Sequence, residues 1–345
     1  MKSIAVTEPG RLQVVEVPEP MPTPYQVRLQ TEAACLCNIT DRKIIEGRFP
    51  GVENFPFLLG HETVGIVETV GDKVRNFEMG DRVIGGLLIP YESDQYDSAW
   101  GGFSQYLLAG DHQAMVDDGV ATSDHGWLDT YEVMKSVPSY IGVEDAVMMC
   151  TWREVLSSFT DFDLKPGKDL IVFGAGAVGL SFVKFARLLG FNEIVSIDPN
   201  YHKREKALAM GATSAYAPDD VNISTLAIDR GCPFDAVIDA VGKEVVINAG
   251  IPLIGMGSSI CIYGTLSSSS LSLEFGNGPY NFDIKVHQWP TRFLEAGAQK
   301  QLVEWVKDGQ LSYSEFIDAE YPFQEIDLAF KEIKKSKPIK TLFRF

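Results

Sequence analysis

The sequence predicts an α/β protein built in two parts, a β-rich first part and a doubly wound parallel sheet. Three observations carry this. The first 110 or so residues are β-branched runs set between Gly, Pro and Asp, the mark of short strands joined by turns. From about residue 150, apolar strands alternate with helical patterns, as they do where helices cross over between parallel strands. At 345 residues the chain is longer than one hydrophobic core usually serves.

The elements follow in order. "MKSIAVTEPGRLQVVEVPEP" reads as two short strands turning at Pro9-Gly10, and "YQVRLQTEAAC", "TVGIVETVG" and "DRVIGG" as further strands. "VGDKVRNFEMGDRV" reads as two strands around a tight connection, and the whole as a small, irregular barrel or sheet. Residues 111–135 show no period and are expected to run over the surface. "DLIVFGAG" is then a strand, "AVGLSFVKFARLLG" a helix ending at Gly190, "EIVSID" a strand and "NYHKREKALAMG" a helix ending at Gly211. "TSAYA", "FDAVIDAVG" and "SSICIYGT" are further strands. After about residue 287 come two amphipathic helices, "TRFLEAGAQKQLVEWVKDG" and "IDLAFKEIKKSK", and a closing strand, "KTLFRF".

Composition narrows the function. Apolar residues make up 45% and charged residues 22%, as in ordinary globular proteins. The formal charge of −17 argues against nucleic acid and anionic membranes as partners. No apolar run reaches membrane-spanning length, and the N-terminus lacks the apolar core of a signal peptide. The five cysteines are odd in number and scattered, so no disulfide framework is expected and a reducing cytoplasm is the expected compartment.

Two stretches carry chemistry. Gly174-Ala175-Gly176-Ala177-Val178-Gly179 is G-x-G-x-x-G between a strand and a helix, and Asp198 ends the next strand. This is the context of a dinucleotide fingerprint. Gly174 allows the tight turn, Gly176 the approach of a pyrophosphate and Gly179 close helix–strand packing, with the phosphates at the helix N-terminus. Asp198 accepts from ribose hydroxyls and repels a 2′-phosphate, which favours NAD over NADP. Lys203 and Arg204 follow it and read as a solvated helix face. The second stretch, "FPFLLGHETVG", sets His61 and Glu62 against an apolar run. Imidazole, carboxylate and a cysteine such as Cys37 are the usual zinc ligands.

"LGHETVGIVETVG", then "GDRV", "GGFSQY" and "GAGAVG", in this order, resemble the medium-chain dehydrogenase/reductase superfamily in its zinc-dependent alcohol and polyol dehydrogenase branch. The resemblance implies a GroES-like catalytic domain interrupted by a Rossmann domain, with the active site in a cleft between them. The expected bounds are 1–151 and 287–345 for the catalytic domain and 152–286 for the Rossmann domain. It implies His61 and Cys37 as zinc ligands, with Glu62 either ligating directly or standing close by. Thr40 matches the residue that hydrogen-bonds the substrate hydroxyl, and Asp41 the acid that orients the ligating histidine. The backbone of Tyr263, Gly264 and Thr265 is expected against the nicotinamide. A fourth ligand falls near "DAVMMCTWREV", with Cys150 the nearer candidate and Glu154 the second.

Several positions depart from the family's pattern. Asn38 and Ile39 both separate Cys37 from Thr40-Asp41, one residue more than usual, and Cys35 lies farther still. Lys43 stands where many members carry a proton-relaying histidine, so the relay is Lys43 or water. No cysteine occurs between Asp81 and Cys150, so one catalytic zinc and no structural zinc are expected. His112, His125 and His202 are expected at the surface and His287 outside the site. The implied reaction moves hydride between a secondary alcohol and NAD, in a homodimer or homotetramer. "CNITDRK" and "EGRFPG" favour a polyol or sugar alcohol, with Phe49 lining the pocket; a simple secondary alcohol or an amino-acid alcohol such as threonine comes second. Two alternatives stand beside it: a zinc-free NADPH-dependent quinone or enone reductase of the same superfamily, and a non-catalytic NAD-binding regulatory or structural protein.

Overall fold

A computed structural model describes the chain except residues 53–54, 90, 92, 94, 220–222, 267 and 269 and the side chains of 224, 327, 334 and 336. It forms two compact units: Met1–Cys150 with Gln299–Phe345, and Thr151–Ala298. None of its described helices is long and apolar enough to cross a membrane.

The first unit opens with β1 (Lys2–Glu8) and β2 (Arg11–Glu16), the expected hairpin. β3 (Gln26–Leu36), α1 (Thr40–Ile45), β4 (Phe57–Leu58), β5 (Glu62–Val70), β6 (Arg82–Ile84), β7 (Asp97–Ser98) and β8 (Tyr106–Gly110) follow. α2 (His112–Asp117), β9 (Lys135–Val137) and the start of α3 (Val143–Asp161) end this first pass. β3 is the spine: it pairs antiparallel with β5 and β8, and its register sets Cys35 opposite Glu62. The connection from β5 to β6 takes residues 71–81 rather than a tight turn, closed by Gly80 N–H on the Val67 carbonyl, 2.9 Å.

Residues 111–135 do not run free over the surface. They form α2 and two short 3-10 turns, and bury Met115, Tyr131 and Met134 in the core beneath β3 and β8. Single side chains anchor the segment instead of a stripe, so no period is written into it. His112, read as a surface residue, is half-buried, with Trp127 Nε1–H donating to its Nδ1 at 3.0 Å.

The second unit holds β10 (Leu170–Phe173), α4 (Ala177–Leu189), β11 (Ile194–Ile197), α5 (Tyr201–Ala209) and β12 (Ser214–Tyr216). α6 (Leu226–Asp229), β13 (Phe234–Asp239), α7 (Glu244–Gly250), β14 (Ile254–Ile262) and β15 (Asp283–Val286) complete its sheet. The order is β12-β11-β10-β13-β14-β15, all parallel. This is the doubly wound order in which ligands bind at the carboxyl ends of the strands where the order reverses, beside β10. β10, β11 and β13 read as near-continuous apolar runs because helices cover both faces. The chain then runs through α8 (Arg292–Lys307) to β16 (Ile317–Pro322), α9 (Ile326–Ser336) and β17 (Lys340–Arg344). β17 inserts between β16 and β3 in the first unit's larger sheet.

One buried acid in the second sheet gives a pH signature. Asp239 is fully buried at the end of β13 and accepts from the N–H groups of Val241 and Gly242 at 2.9 and 3.0 Å. Burial outweighs those bonds and pushes its carboxyl up to about 6. The fold therefore favours the protonated form. That contribution is full below the unfolded value of about 3.9 and is lost as the pH rises through about 6. Two pH units amount to roughly 3 kcal/mol. Between pH 4 and pH 8 the parent should lose about that much stability relative to Asp239→Asn, measured by urea unfolding at both pH values.

Candidate functional site

The site is built at one end of β3, where the chain leaves the strand at Cys37 and returns as β5 at Glu62. Gly60 makes the approach possible. Its φ is +102°, and a Cβ there would meet the Phe103 ring and backbone at 2.6–2.7 Å, so a side chain is excluded twice over. His61 follows and Glu62 begins β5. Ligand atoms of Cys37, His61 and Glu62 lie within 4.8 Å of one another. A tetrahedral zinc with ordinary bond lengths sets such atoms about 3.3–3.8 Å apart, so side-chain adjustments of an ångström close the set.

Asp41 organises two of the three. It is fully buried at the start of α1. Its Oδ2 accepts the Cys37 N–H at 2.9 Å, and its Oδ1 lies 3.2 Å from His61 Nδ1. With Nδ1 turned to the carboxylate, Nε2 is left for a metal, the usual arrangement behind a ligating histidine. Burial lowers the His61 pKa, but the Asp41 charge and hydrogen bond, with Cys37 behind them, raise it well above the ordinary value. Cys35, two residues before Cys37, is fully buried and faces Glu62 across the sheet; burial pushes its thiol far up, which makes it a poor thiolate.

Glu62 has a partner that the sequence did not announce. Lys340, the first residue of β17, makes an ion pair with its Oε2, and both side chains are buried. Burial lowers the Lys340 pKa, but Glu62 and the two cysteines outweigh it, so the ammonium stays charged. Glu62 is thus balanced without a metal, and a cation binding at Cys37 and His61 would share or take this carboxylate. The stretched Cys37 loop is held against the residues just before that strand: Asn38 Nδ2 donates to the carbonyls of Pro338 and Ile339 at 3.2 and 2.9 Å. Asn38, one of the two residues between Cys37 and Thr40, thus ties the loop to the segment that brings Lys340.

Thr40 opens α1, half-buried. Lys43, one turn on, is half-buried, and burial followed by the Arg48 charge lowers its pKa, the direction a proton relay needs. Trp100 stands over His61, ring centroids 5.2 Å apart, and Phe49 packs edge-on to Trp100 at 5.7 Å. Trp100 has a φ of +68°, a strained conformation for a bulky residue of the kind that collects at functional sites. The structure does not bring Cys150 into the three-residue group; its Sγ points at the Thr63 carbonyl oxygen, 3.5 Å away. Glu154 lies half-buried on α3 in the other unit. His287 packs edge-on to Phe162 in that unit, 3.9 Å from Asp161.

The second unit carries the glycine-rich turn. Gly174 follows β10 with φ +94°, Gly176 caps α4 with open space around it, and Ala177 and Val178 begin the helix. A Cβ on Gly179 would sit 1.7 Å from the Gly174 carbonyl oxygen, a backbone clash that no rotamer relieves. Gly179→Ala should cost about 3 kcal/mol or more, read by thermal melts. Asp198 is buried beyond β11; its Oδ2 accepts the Ala175 N–H and its Oδ1 the Asn200 N–H, both at 2.8 Å. Arg204 Nη1 donates to the Asp198 and Pro199 carbonyls at 2.8 and 3.0 Å, which ties α5 to this strand end rather than leaving Arg204 a purely solvated residue. At the end of β14 come Tyr263, Gly264 and Thr265. Gly264 packs against the Val241–Gly242 backbone, and Gln288 Nε2 donates to its carbonyl at 2.8 Å.

Comparison with known proteins supports the family and the fold. The family model described as alcohol dehydrogenase GroES-like domain matches residues 23–117, and that described as zinc-binding dehydrogenase matches residues 177–282. The chain belongs to the zinc-binding medium-chain dehydrogenase/reductase superfamily. Among members of this superfamily, an alcohol dehydrogenase of Cupriavidus necator is 26% identical over 96% of this chain and 94% of its own. A probable D-xylulose reductase A of Aspergillus clavatus is 28% identical over 83% and 80%. A protein described as a short chain alcohol dehydrogenase of E. coli CFT073, solved with NADH, superposes with a TM-score of 0.79 at 19% identity, covering 100% and 99%. The fold is that of these dehydrogenases.

Proposed function

We propose that this dehydrogenase transfers hydride between a secondary alcohol, by preference a polyol or sugar alcohol, and NAD, with one zinc per chain and no structural zinc. The observation that carries the reading is the Cys37–His61–Glu62 group backed by Asp41. Soft thiolate, imidazole and carboxylate suit zinc, and three protein ligands leave a position for substrate.

Zinc would supply Lewis-acid polarisation of the substrate oxygen, and the nicotinamide would take the hydride. The chain's own residues do the rest. Cys37 and His61 would hold the metal, and Asp41 keeps the imidazole turned so that Nε2 is left to ligate. Glu62, paired with Lys340, would serve as the third ligand or stand beside it. Thr40 accepts the hydroxyl proton of the alcohol and hands it to Lys43 or water. Phe49 and Trp100 wall the substrate side and keep water from the reacting carbon. Asp198, an acid beyond β11, supports NAD over NADP because it disfavours a 2′-phosphate. Relatives named D-xylulose reductase support a polyol.

The test is a panel of xylitol, sorbitol, simple secondary alcohols and threonine, following NAD reduction with and without a zinc chelator. Chelator-sensitive reduction that favours the polyols is expected. Less than about half a zinc per chain in the purified protein would overturn the mechanism, and activity only on enones with NADPH would establish the zinc-free alternative.

A further inference from the structure

The first unit has a second concave site, far from the metal group. A cavity of about 620 Å³ lies between the Pro-rich arm before β3 and the 111–135 excursion. Its floor is Gln26, Leu108, Met115 and Tyr131, all buried. The arm, Tyr91 and Lys73 form its sides. Gln26 begins β3 and Cys37 follows its end, so the two sites sit at opposite ends of one strand, about 30 Å apart at the usual rise per residue.

The chemistry of the lining is specific. A volume of this size, apolar walls and a few converging polar groups are the features of a small-molecule site. Tyr131 accepts from Gln26 Nε2 at 2.7 Å, and its own hydroxyl hydrogen remains to be donated. Gln26 Oε1 already takes the Thr23 N–H at 3.0 Å, and Tyr91 donates to the Pro18 carbonyl at 3.0 Å. The acids near the cavity are matched. Glu19 lies 3.5 Å from the Arg28 guanidinium, and Asp118 is held by Arg75 at 2.6 Å and by the Tyr25 hydroxyl at 2.8 Å. His125, on the rim, bonds Thr122 Oγ1 at 2.9 Å. Lys73 is different: its ammonium rests over the Tyr25 ring, 5.1 Å from the centroid, and its side chain has no carboxylate partner among the described residues. In a protein of charge −17, the cavity thus offers one cation that, although its charge is felt by Asp118, makes no ion pair among the described residues, and one free hydroxyl donor beside aromatic and thioether surface.

We propose that this cavity binds a small aryl carboxylate, its ring against Tyr91, Met115 and Tyr131 and its carboxylate oxygens on Lys73 and the Tyr131 hydroxyl. The site is separate from the one that turns over substrate.

Calorimetric titration of the full-length, metal-loaded protein with cinnamate, and with its neutral amide, tests this. One saturable cinnamate site per chain is expected. It should survive His61→Ala, weaken at least about tenfold in Lys73→Met and for the amide, and weaken severalfold in Tyr131→Phe. Lys73 is exposed, so its variant folds and isolates the charge. Absence of saturable binding at millimolar cinnamate overturns the proposal. So does binding that disappears in His61→Ala, which would place the carboxylate on the metal, and so does equal affinity of Lys73→Met or of the amide.

Discussion

His61→Ala should abolish alcohol-dependent NAD reduction, by about 10³-fold or more, while leaving NADH affinity within about twofold of the parent. The split is expected on the proposed reading, because His61 lies on the first unit and the glycine-rich turn on the second. Removing the imidazole leaves Cys37 and a carboxylate already paired with Lys340, too few ligands to hold zinc. Metal content should fall with activity. Asp41→Asn should act in the same direction but less, by roughly 10–100-fold, as loss of a group behind a metal ligand usually does. Retained zinc and turnover in His61→Ala would remove the metal centre from the mechanism. Loss of NADH binding along with activity would mean a general collapse instead.

The second large effect concerns Lys340. Lys340→Met leaves Glu62 buried with no cation against it. Removing one partner of a buried pair costs about 3–5 kcal/mol, and the loss should appear in the metal-free protein as a lower urea midpoint. Zinc should restore much of it, because a divalent cation at Cys37 and His61 supplies the missing charge. Lys340→Met with Glu62→Gln should be closer to the parent than Lys340→Met alone, since no unpaired charge is then buried. A single variant as stable as the parent without metal would show that Glu62 is protonated or solvated there, and that the ammonium does not balance it.

Much of the second unit was legible in the sequence because its strands are buried on both faces. "LIVF", "IVSI" and "FDAVID" are continuous apolar runs, and Gly190 and Gly211 end the helices between them. β15 and β16 were not legible. Both lie at sheet edges with exposed or half-exposed residues along their length; each alternates polar and apolar residues, but over only four and six positions, too short a stretch to stand out, and β16 ends in Pro322. The same holds for the 111–135 excursion, whose buried residues are anchors without a period.

At the metal group, His61, Glu62 and Cys37 stood out by residue type, and the structure brings their ligand atoms together. What the sequence hid was what lies around them. Lys340 sits 278 positions after Glu62 and reads, in "KTLFRF", as one more strand residue. Trp100 is not singled out by the sequence, and only its position over His61 gives it meaning. Contacts between distant segments depend on strand order, which local pattern does not encode.

That strand order has a consequence for how the protein is made. β17 lies inside the sheet between β16 and β3 and delivers Lys340, and the two residues just before it supply the carbonyls that Asn38 binds. A nascent chain that has exposed its first 150 residues carries all three prospective ligands, but neither the neighbouring strand nor the balancing ammonium. The 148 residues of the second unit, 151–298, must be synthesised next, which takes about 7–30 s at ordinary translation rates. The second unit, contiguous in the chain, is free to close during that interval, whereas the unit begun first is sealed only by a strand made after the second unit.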